Sequence, residues 1–208
     1  MLVLASSSPR RAELLRNAGI RFLVRPTNVL EDPLPGESAK TLGERLAAAK
    51  AAAVYSQHPS DYVLGADTVV VVDNHILGKP LDVADAARML RLLSGRSHLV
   101  ITGVCLIGPA PAVKPIVQGS PMSWFEDVRS ETTLVNMDEL SESDIENYVA
   151  SGEPMDKAGA YAIQGIASRW IGRIEGDYSN VVGLPVALVH RMLTAYAILK
   201  ANGEVERS

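Results

Sequence analysis

The sequence predicts an α/β protein with a mixed central sheet flanked by helices, and three features support this fold class. In the N-terminal half, short apolar segments alternate with segments whose apolar residues recur at helical spacing. Residues 62–72 are almost wholly apolar and β-branched, which is typical of a central strand buried on both faces. Residues 99–107 and 124–137 then predict two long strands that form an antiparallel pair. This pair favours a mixed sheet over a strictly parallel, doubly wound one.

The N-terminal segment predicts a strand, a polar turn and a helix. Residues 2–5 are apolar and form the strand; Ser8 then offers an N-cap oxygen, Pro9 suits the first helical position, and Gly19 ends the helix. Residues 22–24 predict a second strand. Residues 27–37 contain three acids and two prolines, so we expect an exposed loop there.

The remaining elements follow from the same local signals. Residues 38–56 carry apolar residues at helical spacing, residues 73–75 turn the chain, and Asp82 caps a helix that ends at Gly95. Ser141 with Asp144 begins a short helix that runs through residue 149. Residues 152–178 are rich in glycine and charge, with short β patches, and Pro185 opens the last helix.

Length and composition predict one soluble globular domain spanning residues 1–208. The chain has 208 residues, of which 47% are hydrophobic and 21% charged, a composition that excludes disorder, collagen and coiled coil. Within the domain, residues 108–123 contain four prolines and predict a loop, and residues 202–208 predict a frayed tail.

Charge and cysteine content exclude several classes of partner. Acids outnumber bases 24 to 20, so the surface as a whole does not attract a nucleic-acid polymer or an anionic membrane. An anionic ligand therefore requires a local basic cluster. The single cysteine, Cys105, excludes an internal disulfide and a cysteine-based zinc site. Because no secretory signal or membrane-spanning apolar run is present, we expect a cytoplasmic protein that does not enter a membrane.

Asp67 is the anomalous residue of the buried-strand pattern. A charge inside so apolar a segment is unfavourable unless another group compensates it. One interpretation places Asp67 at a strand end facing a cleft, where it binds a divalent cation or takes a proton from water. The alternative is that Asp67 caps a neighbouring turn, and this segment alone does not decide between them.

The turn before the first helix is a candidate anion site. Residues 6–11 (SSSPRR) place hydroxyls, free backbone N–H groups and two guanidinium groups at a helix N-terminus. Arg10 and Arg11 could instead belong to a solvated first turn. However, a cation at the positive end of a helix is unfavourable without an anion nearby, which favours a phosphate or triphosphate site.

Lys50 and Lys79 are ambiguous when taken alone. Each follows small or apolar residues, and a lone lysine is most often solvated. Gly78 would allow the backbone before Lys79 to approach a ligand closely. The Walker spacing and the G-x-G-x-x-G fingerprint are both missing, which disfavours kinase-type and dinucleotide sites. No G-x-S-x-G motif supports a serine hydrolase.

Seven segments, in order along the chain, resemble the Maf-like nucleotide pyrophosphatases, a family that shares its general architecture with inosine-triphosphate pyrophosphatases. They are residues 4–15 (LASSSPRRAELL), 50–51 (KA), 65–70 (GADTVV), 78–80 (GKP), 93–98 (LSGRSH), 153–165 (EPMDKAGAYAIQG) and 176–185 (GDYSNVVGLP). Each segment is a weak signal, but the ordered set is specific. The resemblance implies an elongated central sheet with a cleft between two lobes.

The resemblance also implies a reaction and a set of site residues. The reaction is metal-dependent hydrolysis of a nucleoside triphosphate to the monophosphate and pyrophosphate, with Mg²⁺ or Mn²⁺ as the cofactor. Asp67 is implied as the proton acceptor, and Asp67 and Glu31 as the metal ligands. Lys50, Lys79 and Glu31 are implied as further catalytic residues. With Ser8 and Arg11 they are implied around the phosphates and metal, and Lys157 is a further substrate-binding residue. Chemically, the cations would neutralise the triphosphate while Asp67 acts on the attacking water.

The branch of the family that prefers dTTP and UTP fits best. Arg10, Thr68 and Gln164 resemble its specificity positions. The Gln164 amide can accept a hydrogen bond from N3–H of uracil or thymine and donate one to O4, whereas cytosine presents the reverse pattern. Modified pyrimidine nucleotides are possible further substrates, and similar proteins are often homodimers.

Two departures from the family pattern leave questions open. The loop at residues 108–123 is longer than expected, and Leu30 replaces an acid that often precedes the acidic-loop residue. We choose Glu31 as that residue, with Asp32 as the alternative. Two other functions compete with hydrolysis: a nucleotide-binding regulator of septum formation without turnover, and a nucleotidyltransferase, which would need a cosubstrate.

Overall fold

A computed structural model describes residues 1–110 and 124–199, and within these ranges one mixed sheet is flanked by helices. The strands are β1 (Leu2–Leu4), β2 (Leu23–Val24), β3 (Tyr62–Val72), β4 (His75–Leu77), β5 (Ser97–Pro109), β6 (Trp124–Met137) and β7 (Ile171–Glu175). The helices are α1 (Pro9–Asn17), α2 (Ala39–Tyr55), α3 (Val83–Leu93), α4 (Glu142–Ala150), α5 (Tyr178–Val182) and α6 (Val186–Ala195). Three short 3₁₀ segments lie between α4 and β7, at Glu153–Asp156, Ala158–Ala160 and Ile166–Trp170.

The sheet has the strand order β2-β1-β3-β5-β6-β7, with β4 also paired to β3. Strand β1 is parallel to β2 and β3, and the other pairs are antiparallel, so the predicted mixed sheet is confirmed. Strand β1 pairs with β3 at residues 62–64 and β4 pairs with it at residues 70–72. In the part of the chain described, no strand lies beside residues 65–69 on that edge. We call this interval the edge gap.

Four helices begin where the sequence predicts that they begin. Ser8, Ser38, Asp82 and Ser141 each accept a hydrogen bond from the backbone three residues later, as N-caps do. The bounds of β3 and β6 and the β5–β6 antiparallel pairing agree with the prediction.

Three sequence predictions need correction or lie outside the described residues. The segment 152–178 forms three 3₁₀ segments, the short strand β7 and the start of α5, so the predicted β patches are confirmed only at β7; β4 was not predicted. The predicted loop 108–123 begins too early, because Gly108 and Pro109 belong to β5, where Pro109 pairs with Trp124. Residues 111–123 and the predicted tail at 202–208 lie outside the described ranges.

Two hydrophobic cores on one face of the sheet define two lobes. The first lobe comprises β1, α1 and α6, which pack on Ala66 and its neighbours; the second comprises α3, α4 and the 3₁₀ segments, which pack on Val70 and its neighbours. Thr68 and Thr102 lie between the two cores, with hydroxyl oxygens 3.0 Å apart. A polar boundary therefore separates the two cores.

Helix α2 packs on the opposite face, unusually close to the sheet. A Cβ atom on Gly65 would lie 2.2 Å from the Ala47 carbonyl oxygen, and one on Gly103 would lie 2.2 Å from that of Gly43. Only glycine permits this approach, since real Cβ contacts are much longer. Gly103 is the cross-strand partner of Asp67, so the helix sits directly over that carboxylate.

No helix in the described ranges is both long and apolar enough to span a membrane.

Candidate active site

Asp67 lies in the middle of the edge gap. Asp67 is 8% exposed and Lys50 is 7% exposed. The Oδ1 atom of Asp67 is 2.5 Å from Nζ of Lys50. Asp67 is therefore central in β3, and the expectation of a strand end is wrong: the neighbouring strand β1 ends there instead. The ion pair compensates the buried charge, so Asp67 does not act as a simple turn cap.

Glu31 adds a second carboxylate to the same ammonium group. Lys50 Nζ is 2.6 Å from Glu31 Oε1, and Lys79 Nζ is 3.5 Å from Glu31 Oε2. Burial acts to raise the pKa of Glu31, but hydrogen bonds and charge from Lys50 and Lys79 outweigh it and lower that pKa. Asp32 is exposed, and among the described residues its one hydrogen bond to another side chain is made by its carbonyl oxygen, which accepts from Arg45. Glu31 is thus the acidic-loop residue that reaches the cluster.

These carboxylates are suitable ligands for a hard divalent cation. Their oxygens share one nitrogen partner at 2.5 and 2.6 Å, so they lie at most about 5 Å from each other. Within the described ranges, no group of three or more His, Cys, Asp or Glu side chains could enclose a metal. A bound cation would therefore complete its shell with oxygens from a ligand or water, as Mg²⁺ commonly does.

Arg11 places a cation against Thr68, at the boundary between the two cores. Its guanidinium donates to the Gly183 carbonyl at 2.7 Å, to Ser6 Oγ at 3.2 Å and to Thr68 Oγ1 at 3.0 Å. All three acceptors are neutral. Burial lowers the pKa of Arg11, and the charges of Asp67 and Glu31 oppose that shift. A fixed cation with neutral partners is the arrangement expected where an anion binds.

Arg10, Asp156 and Lys157 form a second charged group, which joins the two lobes. Arg10 donates to Asp156 Oδ2 at 3.0 Å, joining α1 to the 3₁₀ segment of the second lobe. Lys157 contacts the other oxygen of Asp156 at 2.5 Å and the Glu153 carbonyl at 2.6 Å. In this structure both cations are held by Asp156 rather than by the Asp67 cluster.

Ser8 and Gln164 occupy less central positions. Ser8 Oγ accepts from the Arg11 backbone N–H at 3.5 Å, so it caps α1. Gln164 is exposed in a turn closed by a hydrogen bond from Gly165 N–H to the Ala162 carbonyl at 3.0 Å. Among the described residues, no hydrogen bond links Gln164 to the cluster around Asp67.

Several residues that position the site were not found from the sequence. Thr102 supports Thr68, and the Gly183 carbonyl orients Arg11. Gly103 allows α2 to bring Lys50 onto Asp67. The motif containing Gly183 offered a signal, but Gly103 and Thr102 lie within an ordinary apolar strand pattern.

Fold and site together define an α/β protein in which a buried carboxylate pairs with a lysine of the helix packed on the sheet, with further cations from separate elements close by. More specifically, the chain belongs to the family described as "Maf-like protein", whose model matches residues 1–196.

Relatives with assigned names match almost the whole chain. The protein named dTTP/UTP pyrophosphatase from Koribacter versatilis is 52% identical over 198 residues, which cover 95% of each chain. The protein of the same name from Symbiobacterium thermophilum is 51% identical, covering 94% of this chain and 93% of that one. A solved structure, that of the Staphylococcus aureus Ham1 protein, aligns with a TM-score of 0.45 at 13% identity, covering 93% of this chain and 98% of that one.

Proposed function

We propose that this protein is a nucleoside triphosphate pyrophosphatase that hydrolyses dTTP and UTP to the monophosphate and pyrophosphate. The observation that carries the proposal is the buried Lys50–Asp67 pair joined to Glu31, with Arg11 nearby on neutral partners. Relatives about half identical over nearly their full length bear the name dTTP/UTP pyrophosphatase. The cationic set supports a polyphosphate ligand in a protein whose net charge is −4.

The triphosphate would bind where the cations converge. Arg11 would provide a charged donor to phosphate oxygens, with Ser8 and the N-terminus of α1 beside it. Lys79, whose side chain is 58% exposed, can turn from Glu31 toward a phosphate with little loss, because an exposed ion pair is weak. Lys50 stays buried and keeps the carboxylates close together.

Asp67 would act on the water that attacks the α-phosphorus. As a carboxylate paired with Lys50, it has a second oxygen that can accept a proton from that water. The new bond joins the water oxygen to the α-phosphorus. The bond from that phosphorus to the oxygen bridging to the β-phosphorus breaks, and pyrophosphate leaves with that oxygen.

We also propose that Asp67 and Glu31 hold Mg²⁺ or Mn²⁺ during the reaction. The two carboxylates fit this role because their oxygens are hard ligands near each other. Such an ion would neutralise charge on the phosphates.

Base selection would depend on Gln164, with Arg10 and Thr68 beside the substrate. The exposed Gln164 amide is available to pair with N3–H and O4 of uracil or thymine. Thr68 Oγ1 accepts a hydrogen bond from Arg11 at 3.0 Å. Thr68 would therefore link recognition of the base to binding of the phosphates by Arg11. Modified pyrimidines that keep these two atoms would remain substrates.

The proposal includes two further features, a cytoplasmic location and a homodimer. We propose a cytoplasmic location, which the single cysteine supports because it excludes an internal disulfide. A homodimer follows from the family resemblance alone, and light scattering of the purified protein would test it.

The direct test is pyrophosphate release from a panel of nucleotides with Mg²⁺ or Mn²⁺. We expect release from UTP and dTTP, and a loss of about 100-fold or more in turnover for Asp67→Asn. Asp73→Asn, which changes an exposed aspartate paired with Arg96, serves as the matched control. Intact UTP that stays bound would favour the non-hydrolysing regulator, and turnover only with a cosubstrate would favour the transferase. A folded Asp67→Asn variant with full activity would remove Asp67 from the mechanism.

A further inference from the structure

We infer that Tyr148 and Glu153 are positioning residues for base selection, because together they hold both ends of the turn that carries Gln164. We call residues 162–165 the Gln164 turn. The inference rests on the proposed function, in which the Gln164 amide pairs with the base. Neither residue was singled out by the charge and spacing arguments that identified the phosphate site.

Tyr148 holds the first end of the turn. Its hydroxyl oxygen accepts a hydrogen bond from the Ala162 backbone N–H at 3.1 Å and donates its own proton to Glu153 Oε1 at 2.8 Å. The residue is 1% exposed, and its ring packs edge-on against Trp170, with the ring centroids 5.6 Å apart. Burial raises the pKa of the Tyr148 phenol, so the hydroxyl keeps the proton that it donates.

Glu153 holds the other end. Its two carboxylate oxygens accept from the Ile166 backbone N–H at 3.1 and 3.3 Å. Gly165 makes room for this carboxylate, since a Cβ atom there would lie 2.3 Å from Glu153 Oε1. A side chain at residue 165 would therefore push this carboxylate away from the Ile166 N–H.

Among the described residues, the Glu153 carboxylate forms hydrogen bonds only with Tyr148 and Ile166. Within the described ranges it forms no ion pair, and Lys157 contacts its backbone carbonyl instead. A partly buried carboxylate that serves one hydroxyl and one backbone N–H fixes the local conformation with charge-assisted hydrogen bonds. What it fixes is the backbone on both sides of Gln164.

This arrangement explains how an exposed amide could discriminate bases. Discrimination by hydrogen bonds requires donor and acceptor to be held in place, because a mobile amide can follow the wrong base. Gln164 is exposed, so packing of its own side chain does not supply that restraint. The restraint must come from the turn, which the Tyr148–Glu153 pair anchors.

The test measures the ratio of kcat/KM for UTP to that for CTP in the full-length protein. We expect Tyr148→Phe and Glu153→Ala to lower this ratio about tenfold, and Gln164→Ala to lower it at least as much. Adding Tyr148→Phe to Gln164→Ala should change the ratio no further. Glu153→Gln keeps an acceptor oxygen and should retain most of the selectivity. Thermal unfolding would show whether each variant is folded.

Tyr161→Phe is the matched control. Tyr161 is buried in the same core, and its hydroxyl pairs with His98 Nε2 at 2.7 Å rather than with the Gln164 turn. Its loss should alter stability and leave the ratio unchanged.

The outcomes separate the two proposals. If Gln164→Ala lowers the ratio while Tyr148→Phe and Glu153→Ala leave it unchanged, the positioning role is refuted and the proposed function stands. Equal ratios for Tyr148→Phe and Tyr161→Phe also refute it, since the loss would then be structural. A wild-type protein that releases no pyrophosphate, or does not prefer UTP, overturns the proposed function and this inference together.

Discussion

Replacing Lys50 by methionine should strongly destabilise the folded protein, in addition to any effect on activity. Methionine keeps much of the side-chain volume but leaves the Asp67 carboxylate, in a residue 8% exposed, without the ammonium that lies 2.5 Å away. Removing one partner of a buried ion pair costs about 3–5 kcal/mol. Glu31 adds little, because its side chain is 41% exposed and water screens its charge. The measurement is urea unfolding at pH 7, read as the free energy of unfolding.

Two further variants make this experiment decisive. Lys40→Met removes a lysine that lies 2.6 Å from Glu44 but whose side chain is 62% exposed, so the expected loss is about 0.5 kcal/mol. Adding Asp67→Asn to Lys50→Met should recover much of the lost stability, because the unpaired charge is then gone. If Lys50→Met and Lys40→Met have the same unfolding free energy, or if the double variant recovers nothing, the buried-pair argument is incorrect.

Two other predictions concern stability. Burial lowers the pKa of His98 to about 4 from 6.5, so the unfolded chain binds the proton more readily and stability falls, by up to about 3 kcal/mol, as the pH drops from about 6.5 to about 4. His98→Gln should remove this part of the pH dependence. If the difference in unfolding free energy between the wild type and this variant is constant from pH 7 to pH 4, the prediction is wrong. Gly103→Ala should destabilise the protein by about 3 kcal/mol or more, because the new methyl group meets the Gly43 carbonyl. Gly78→Ala is the control, since a Cβ atom there meets open space. Equal unfolding midpoints for the two variants would refute the close packing of α2 on the sheet.

The sequence predicts those elements whose signals are local. Strands β3 and β6 have long apolar or β-branched patterns, and each of four helices begins at a side chain that caps it. Strand β4 spans three residues and is stabilised by pairing with Val70–Val72, so its own residues carry little signal. Helix α5 spans five residues, and the fully buried Asn180 fixes it through bonds to Val100 and Thr133, which are distant in sequence.

The sequence predicts the kinds of charged residue that form the site, but not which of their side chains contact each other. Asp67 is conspicuous because it interrupts an apolar segment, whereas Lys50 resembles any lysine on a helix. That their charged atoms meet depends on Gly65 and on Gly103 of the neighbouring strand, which let α2 approach the sheet. The carboxylate of Glu31, rather than that of Asp32, reaches Lys50 because of the course of an irregular loop, which no periodic pattern encodes.

The edge gap has a mechanical consequence. Strand β3 pairs with β5 across residues 63–71, while β1 and β4 pair with opposite ends of its other edge. The ion pairs Arg10–Asp156 and Lys79–Glu31 bridge that interval, and each includes a well-exposed side chain. Salt screens such pairs and leaves the ladder intact. Raising the ionic strength therefore weakens these two contacts across the edge gap and leaves the backbone pairing of the strand that bears Asp67 unchanged.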